Sequence, residues 1–256
     1  MPERKPVTRR VIPFRELDAT VFPLKDDLPV RRTPLITWAT LLANVLAFLW
    51  QVGAVGMERS VFAGGAIPAE ILTFRDVGVP DLVPPPFTIL TSMFLHGGWG
   101  HIFFNMLFLW IFGDNVEDAM GHGPFLVFYL LCGAAGNIGH ILTNPLSTVP
   151  TVGASGAIAG VLGAYFLLFP RARVVTIVPL FVIPMVMEVP AVVFLGLWFV
   201  LQFLSGAVSL GRSASEGGVA WWAHIGGFVF GAVVMLILRG VTLPSERSYG
   251  SRSRYR

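Results

Sequence analysis

The sequence predicts an all-α polytopic membrane protein built from six transmembrane helices. Three observations carry this prediction: 54% of the residues are hydrophobic, only 13% are charged, and six apolar stretches are long enough to cross a bilayer. A soluble domain carries about 25% charged residues, and a transmembrane helix needs about 20 apolar residues. The predicted spans are residues 35–54, 94–113, 124–143, 153–170, 189–206 and 219–239.

A basic extension flanks the predicted membrane domain, residues 34–240, on either side. We expect residues 1–33 to form a polar, partly disordered cytosolic arm rather than a signal peptide, because they contain prolines and charges and no apolar run. Residues 241–256 are Ser/Arg-rich and predict a flexible tail. Basic residues beside apolar spans report membrane orientation, so the expected partner is the lipid bilayer and not nucleic acid.

The distribution of lysine and arginine predicts the orientation of the spans. If both termini lie in the cytosol, the inner segments hold 15 basic residues and the outer segments hold 3. Such an excess on the inner side favours this arrangement. The compact six-span form fits a bacterial inner membrane. The apolar stretch 174–187 is short and contains two prolines, so we interpret it as an interfacial connection rather than a seventh span.

Spans two, four and six begin at the same, outer face, and each carries polar residues near its start. Ser155 lies in Gly153-Ala-Ser-Gly, and His224 lies in Trp221-Trp-Ala-His-Ile-Gly-Gly. A hydroxyl and an imidazole are costly to bury in lipid, and ionisable groups there are functional by default. Small residues at helical spacing in both spans predict close packing of spans four and six.

That packing would bring Ser155 within hydrogen-bond reach of His224, as a nucleophile and its general base. Since no Asp or Glu lies inside any span, we predict a catalytic dyad without a carboxylate. His101 and Asn105 share one face of span two, and with the Ser155 backbone N–H they are candidate donors for an oxyanion hole. His96, beside several glycines, is a candidate for the site mouth.

These three motifs together resemble those of the rhomboid intramembrane serine proteases, over roughly residues 34–240. The matching pieces are His96-Gly-Gly-Trp-Gly-His-Ile-Phe-Phe-Asn, Gly153-Ala-Ser-Gly and Ala223-His-Ile-Gly-Gly, in the family's order. The resemblance implies the same roles for Ser155, His224, His101 and Asn105. It also implies cleavage of the transmembrane segments of other proteins near their outer ends, without a cofactor.

Two departures from the family pattern concern the surroundings of the site. The first loop has Pro86-Phe-Thr-Ile where well-studied members carry a Trp-Arg pair. Ala159 stands where many members have an aromatic residue stacked on the catalytic histidine. We therefore expect another side chain, such as Trp221 or Phe228, to hold His224.

Three alternatives remain open at this point. The three histidines could bind a metal, but the spacing of His96 and His101 does not match the i, i+4 pair of a helical zinc site and no carboxylate is near, so we predict none. A catalytically inactive relative would bind transmembrane clients as a chaperone. A transporter would spread polar groups through the membrane or contain an inverted repeat, and neither pattern is apparent.

Overall fold

A computed structural model of the chain describes residues 22–75, 81–180, 183–210 and 218–239. This part of the chain is mostly helical, as predicted, and contains in addition one three-stranded antiparallel sheet. The helices are α1 (Leu35–Trp50), α2 (Met57–Gly64), α3 (Pro68–Thr73), α4 (Thr88–Thr91), α5 (Trp99–Met120), α6 (His122–Thr143), α7 (Ser155–Leu168), α8 (Ala191–Ser209) and α9 (Trp221–Arg239). The strands are β1 (Phe22–Asp26), β2 (Arg173–Leu180) and β3 (Ile183–Pro190).

Each of the six predicted spans corresponds to a helix of the structure. Helices α6, α8 and α9 are long and apolar enough to cross a membrane, and so is α1 with the π-helical turn Gln51–Val55 that extends it. Helix α5 has 22 residues, but its last two turns carry three carboxylates. It begins at Trp99 rather than at residue 94, because a 3-10 turn, Ser92–Phe94, and an irregular segment precede it.

Helix α7 occupies the centre of the bundle and is the shortest of the six, with 14 residues. At about 1.5 Å per residue it is about 21 Å long, less than the roughly 30 Å of a bilayer core. Eleven of its residues are buried, in keeping with a helix that is small or apolar on every face. Its N-terminus, at Ser155, marks one end of the bundle, called here the Ser155 end.

Helices α7 and α9 touch through glycines, as the small-residue pattern predicts. A Cβ atom on Gly227 would overlap the carbonyl oxygen of Gly156, and a Cβ atom on Gly231 would overlap that of Gly160. Gly163 lies in the same way against the Phe228 carbonyl. Backbones can approach this closely only where at least one residue of each pair has no side chain, and the approach gives α7 and α9 a fixed register.

The sheet lies at the opposite end of the bundle. It was not predicted from the sequence. The segment predicted as an interfacial connection folds into the hairpin β2–β3, and β1 pairs with β2 on its other edge. The hairpin is rich in Val, Ile and Thr, which favour strands, but its prolines concealed the pattern. Within the predicted arm, Phe22–Asp26 thus form a strand of this sheet.

Two buried carboxylates of α5 hold the segment that leads into α1. Glu117 accepts hydrogen bonds from the backbone N–H groups of Ile36 (2.9 Å) and Thr37 (2.7 Å) and from the Thr37 hydroxyl (2.6 Å). Because Pro34 offers no capping side chain, Glu117 supplies the N-terminal cap of α1 from another helix. Asp118 accepts from the backbone N–H of Arg32 (3.2 Å).

Asp26 joins the sheet to the helices. Its Oδ2 atom accepts hydrogen bonds from Asn115 Nδ2 (2.8 Å) and from the Tyr165 hydroxyl (2.5 Å), on α5 and α7. Burial raises the pKa of the Asp26 carboxyl from 3.8 to about 7, against the opposing effect of the hydrogen bond from Tyr165. The folded protein therefore keeps Asp26 protonated at mildly acidic pH, up to about pH 7.

We expect Gly231→Ala to lower the free energy of unfolding by about 1–3 kcal/mol, because the added methyl group overlaps the backbone of Gly160. Thermal unfolding in detergent measures the loss. Gly123→Ala is the control: a Cβ atom there meets nothing within 4 Å, so the greater helix propensity of alanine should leave stability equal or higher. Equal stability of both variants would contradict the packing argument.

We expect Asp26→Asn to stabilise the protein at pH 8 and to change little at pH 4. Between pH 3.8 and about 7 the folded state keeps a proton on Asp26 that the unfolded state loses, so stability falls as pH rises through this window. Asparagine is neutral throughout and still accepts at Oδ1. Melting temperatures of both proteins across this range measure the effect, and a gain that does not depend on pH would refute it.

Candidate active site

Ser155 is the first residue of α7, where the chain turns sharply into the helix. Gly153 has a φ of 126°, a value that favours glycine, and its N–H donates to the Ser92 carbonyl (2.9 Å). The Asn137 amide of α6 donates to the Ser92 hydroxyl (3.1 Å) and to the Ile89 carbonyl (2.8 Å). The turn before Ser155 is thus held by a short hydrogen-bonded chain.

The structure brings Ser155 and His224 together. His224 lies in the first turn of α9 and is buried, and its Nε2 atom is 2.8 Å from Ser155 Oγ. The close approach of α7 and α9 through their glycines sets this separation. A hydroxyl hydrogen-bonded to an imidazole is the arrangement that activates a serine as a nucleophile.

A third residue, Gln202 of α8, completes the chain of contacts. Its Oε1 atom lies 2.7 Å from His224 Nδ1, and both side chains are buried. Gln202 was not predicted from the sequence, because only a carboxylate was considered as a third member. A lone glutamine inside an apolar span was the available signal, since amides in lipid are costly without a partner.

Two aromatic rings flank the His224 imidazole. Trp198 of α8 lies against the imidazole with ring centroids 6.0 Å apart, and Trp221 meets it edge-on at 6.3 Å. The expectation for Trp221 agrees with this geometry. Phe228 instead packs against Trp198, so it supports the imidazole through another ring.

His101 approaches the serine from α5. Its Nδ1 atom accepts a hydrogen bond from the Gly97 N–H (3.3 Å), which assigns the proton to Nε2. Nε2 faces the turn before Ser155: a Cβ atom on Gly153 would lie 2.7 Å from it and 3.6 Å from Ser155 Oγ. Asn105 is buried on the same helix, and its amide donates to the His101 carbonyl (2.9 Å).

His96 does not line an open mouth, which corrects the expectation from the sequence. The side chain is fully buried behind His101, with ring centroids 5.2 Å apart, and it also meets Phe48 edge-on. Gln51 holds the backbone of His96 through its amide, accepting from the N–H (2.9 Å) and donating to the carbonyl (3.3 Å). Of the glycines that follow His96, Gly97 donates its backbone N–H to the His101 ring.

Two further expectations concern metals and gates. Among the residues that the structure describes, no group of three His, Cys, Asp or Glu side chains is placed to hold a metal ion. The Gly/Ser-rich composition of the loop 207–218 makes it a candidate gate, and most of this loop lies outside the described residues, which resume at Gly218.

Comparison with known proteins identifies a domain that includes Ser155 and His224. The family model of the rhomboid domain matches residues 85–241, more than half of the chain. The chain belongs to the rhomboid family. It is therefore a multi-pass membrane protein, in agreement with its apolar helices.

Rhomboid relatives come from bacteria and from organelles. The chain is 40% identical to the putative rhomboid protease YdcA of Bacillus subtilis over 136 residues, which are 53% of this chain and 63% of YdcA. It is 32% identical to Rhomboid protein 1, mitochondrial, of Saccharomyces cerevisiae over 159 residues, 60% of this chain and 42% of that protein. It is 46% identical to the rhomboid protease GluP of Bacillus subtilis over 76 residues, 30% of this chain and 14% of GluP. The chain thus spans only part of each relative.

We expect Gly153→Ala to lower the free energy of unfolding by about 1–3 kcal/mol, because alanine is strained at this φ and its methyl group meets His101. Thermal unfolding in detergent measures the change. Gly97→Ala is the control, since a Cβ atom there would lie at an ordinary 3.7 Å from His101 Nδ1. A neutral Gly153→Ala variant would show that the turn does not require glycine.

Proposed function

We propose that this protein is an intramembrane serine endopeptidase that cleaves the transmembrane segments of other membrane proteins. The observation that carries the proposal is the 2.8 Å separation of Ser155 Oγ and His224 Nε2 within an apolar helical bundle. Membership of the rhomboid family and the protease names of its bacterial relatives support it. Transmembrane proteins are proposed as the substrate class because the chain belongs to this family, and cleavage would take place within the lipid bilayer.

The orientation proposed from the basic residues puts both termini in the cytosol and the Ser155 end toward the outer face. Because α7 is short, Ser155 then lies below that surface, at a depth where a substrate helix still has its backbone hydrogen bonds. A peptide bond becomes accessible to Ser155 only where the substrate helix unwinds. Substrates should therefore carry helix-weakening residues near their outer ends.

In the proposed reaction, Ser155 Oγ attacks the substrate carbonyl while His224 Nε2 accepts its proton. His224 then donates this proton to the leaving amine, and the acyl-enzyme remains on Ser155. A water molecule, deprotonated by the same imidazole, attacks the ester; His224 then gives this proton to Ser155 Oγ as the ester bond breaks, and the second product leaves as the acid. The bonds broken are the peptide C–N bond and then the ester bond, with no change of oxidation state.

The negative charge on the substrate oxygen needs donors in place before the reaction. The backbone N–H of Ser155 is at the start of α7, where amide groups have no partner within the helix. The Nε2–H of His101 faces the same turn. We assign Asn105 as a third donor: one N–H of its amide donates to the His101 carbonyl, and the other is available for the oxyanion.

A serine-directed fluorophosphonate tests the nucleophile and its base together. We expect the purified protein to be labelled and to cleave a test transmembrane substrate, and Ser155→Ala to abolish both. His224→Ala should reduce the labelling rate by about 10²- to 10⁴-fold. Ser209→Ala is the control, because the hydroxyl of Ser209 is engaged with the Gly206 carbonyl in the last turn of α8.

The same experiment separates the protease from an inactive rhomboid-like protein that only binds transmembrane clients. Labelling that survives Ser155→Ala would remove Ser155 as the nucleophile. A wild-type protein that binds the substrate but is neither labelled nor cleaves it would favour the client-binding function instead.

A further inference from the structure

Gln202 is an unusual residue for its position. The chain contains two glutamines, Gln51 and Gln202. Gln202 lies in the apolar helix α8 and is 7% exposed. Neighbouring side chains of α8, such as Leu201 and Phe203, are each 48% exposed. An amide turned inward from such a helix needs a hydrogen-bonding partner, and His224 is the one that the structure gives it.

The contact with Gln202 determines which nitrogen of His224 carries the proton. The Oε1 atom of Gln202 can only accept, so at 2.7 Å it requires the proton to be on Nδ1. Nε2 then has a free lone pair directed at the Ser155 hydroxyl, 2.8 Å away. The opposite tautomer would present an N–H to Ser155 and could not accept its proton.

We propose that Gln202 is a positioning residue that fixes His224 in the Nδ1–H tautomer and orients Nε2 toward Ser155. The proposal rests on the proposed function, since His224 has to be a base for its tautomer to matter. It replaces the predicted dyad by the chain Ser155–His224–Gln202, with an amide in the place that a carboxylate occupies in soluble serine proteases.

An amide suits this position for a physical reason. A carboxylate buried among apolar helices loses its hydration, and the cost exceeds the gain from one neutral partner. An amide oxygen fixes the same tautomer without a net charge. It also leaves His224 without a counter-ion, so the imidazolium formed during the reaction is short-lived and returns its proton readily to the leaving amine.

The contact also ties α8 to the site. Along α8 beyond Leu195, Gln202 and Gly206 are the buried residues, whereas Leu197, Leu204 and Val208 are at least 52% exposed. The hydrogen bond to His224 is therefore a main polar link between α8 and α9 among the described residues. A displacement of α8 away from α9 would break it, and His224 would lose its fixed tautomer.

Two variants at position 202 test the proposal. In Gln202→Leu, of similar size but without an acceptor, we expect kcat to fall by about 10- to 10²-fold with KM little changed, because a wrong tautomer impairs chemistry rather than binding. Gln202→Glu retains an acceptor oxygen and, despite the cost of burying its carboxyl, should restore part of the fluorophosphonate labelling rate that Gln202→Leu loses. Gln51→Leu is the matched control for the His224 tautomer only, because it removes a buried glutamine that does not contact His224.

Nitrogen-15 NMR measures the chemical shifts of the imidazole nitrogens. A purely structural role of Gln202 would leave the shifts of His224 unchanged. The two ring nitrogens of a neutral histidine differ in shift according to which carries hydrogen, and comparison with His224→Ala assigns the His224 signals. We expect Nδ1–H in the wild type and in Gln51→Leu, and a mixture of tautomers in Gln202→Leu.

The outcomes distinguish failure of this inference from failure of the proposed function. Absence of labelling in the wild type overturns the protease itself. If labelling depends on Ser155 while Gln202→Leu keeps the wild-type kcat and the Nδ1–H signals, the positioning role is wrong. An Nε2–H signal in the wild type would equally overturn it, since the glutamine would then present its NH₂ group. Loss of activity in Gln202→Leu with unchanged tautomer signals would mean that Gln202 only holds α8 in place.

Discussion

The close contact of α7 with α9 is the constraint on which the site depends. Lipid offers little hydrophobic driving force between helices, so their association relies on van der Waals contact and hydrogen bonds. Glycines at 156, 160, 227 and 231 allow backbone to meet backbone, and the register of this contact fixes the height of Ser155 relative to His224. A shift of one helical turn, about 5.4 Å, would separate the two side chains completely.

The carboxylates at the sheet end perform a different task from the polar residues at the Ser155 end. Glu117 and Asp118 satisfy backbone N–H groups of the segment that enters α1, and Asp26 connects β1 to α5 and α7. Each is engaged with the fold rather than with a substrate. The polar groups of the bundle thus divide into a structural set at one end and a candidate catalytic set at the other.

The sequence predicted the parts that follow from hydrophobicity and from helical spacing. Length and apolarity gave the six spans, and the small residues of spans four and six gave their contact, which is what juxtaposes Ser155 and His224. The sheet was missed because its pairing is non-local and prolines interrupt its strands. Gln202 was missed because its partner is 22 residues away on another helix, and spacing along one helix carries no information about such a pair. The burial of His96 depends in the same way on Phe48 of α1 and on Gln51 in the π-helical turn that extends α1.

The cap that Glu117 provides for α1 has a consequence for the order of assembly. The donors it satisfies lie 80 residues earlier in the chain. While the ribosome delivers the chain, the first helix is inserted before its acceptor has emerged, and its terminal amides must meanwhile be hydrated at the membrane surface. The hydrogen bonds between Glu117 and the start of α1 therefore form only after α5 has been inserted, and they require the two helices to lie side by side.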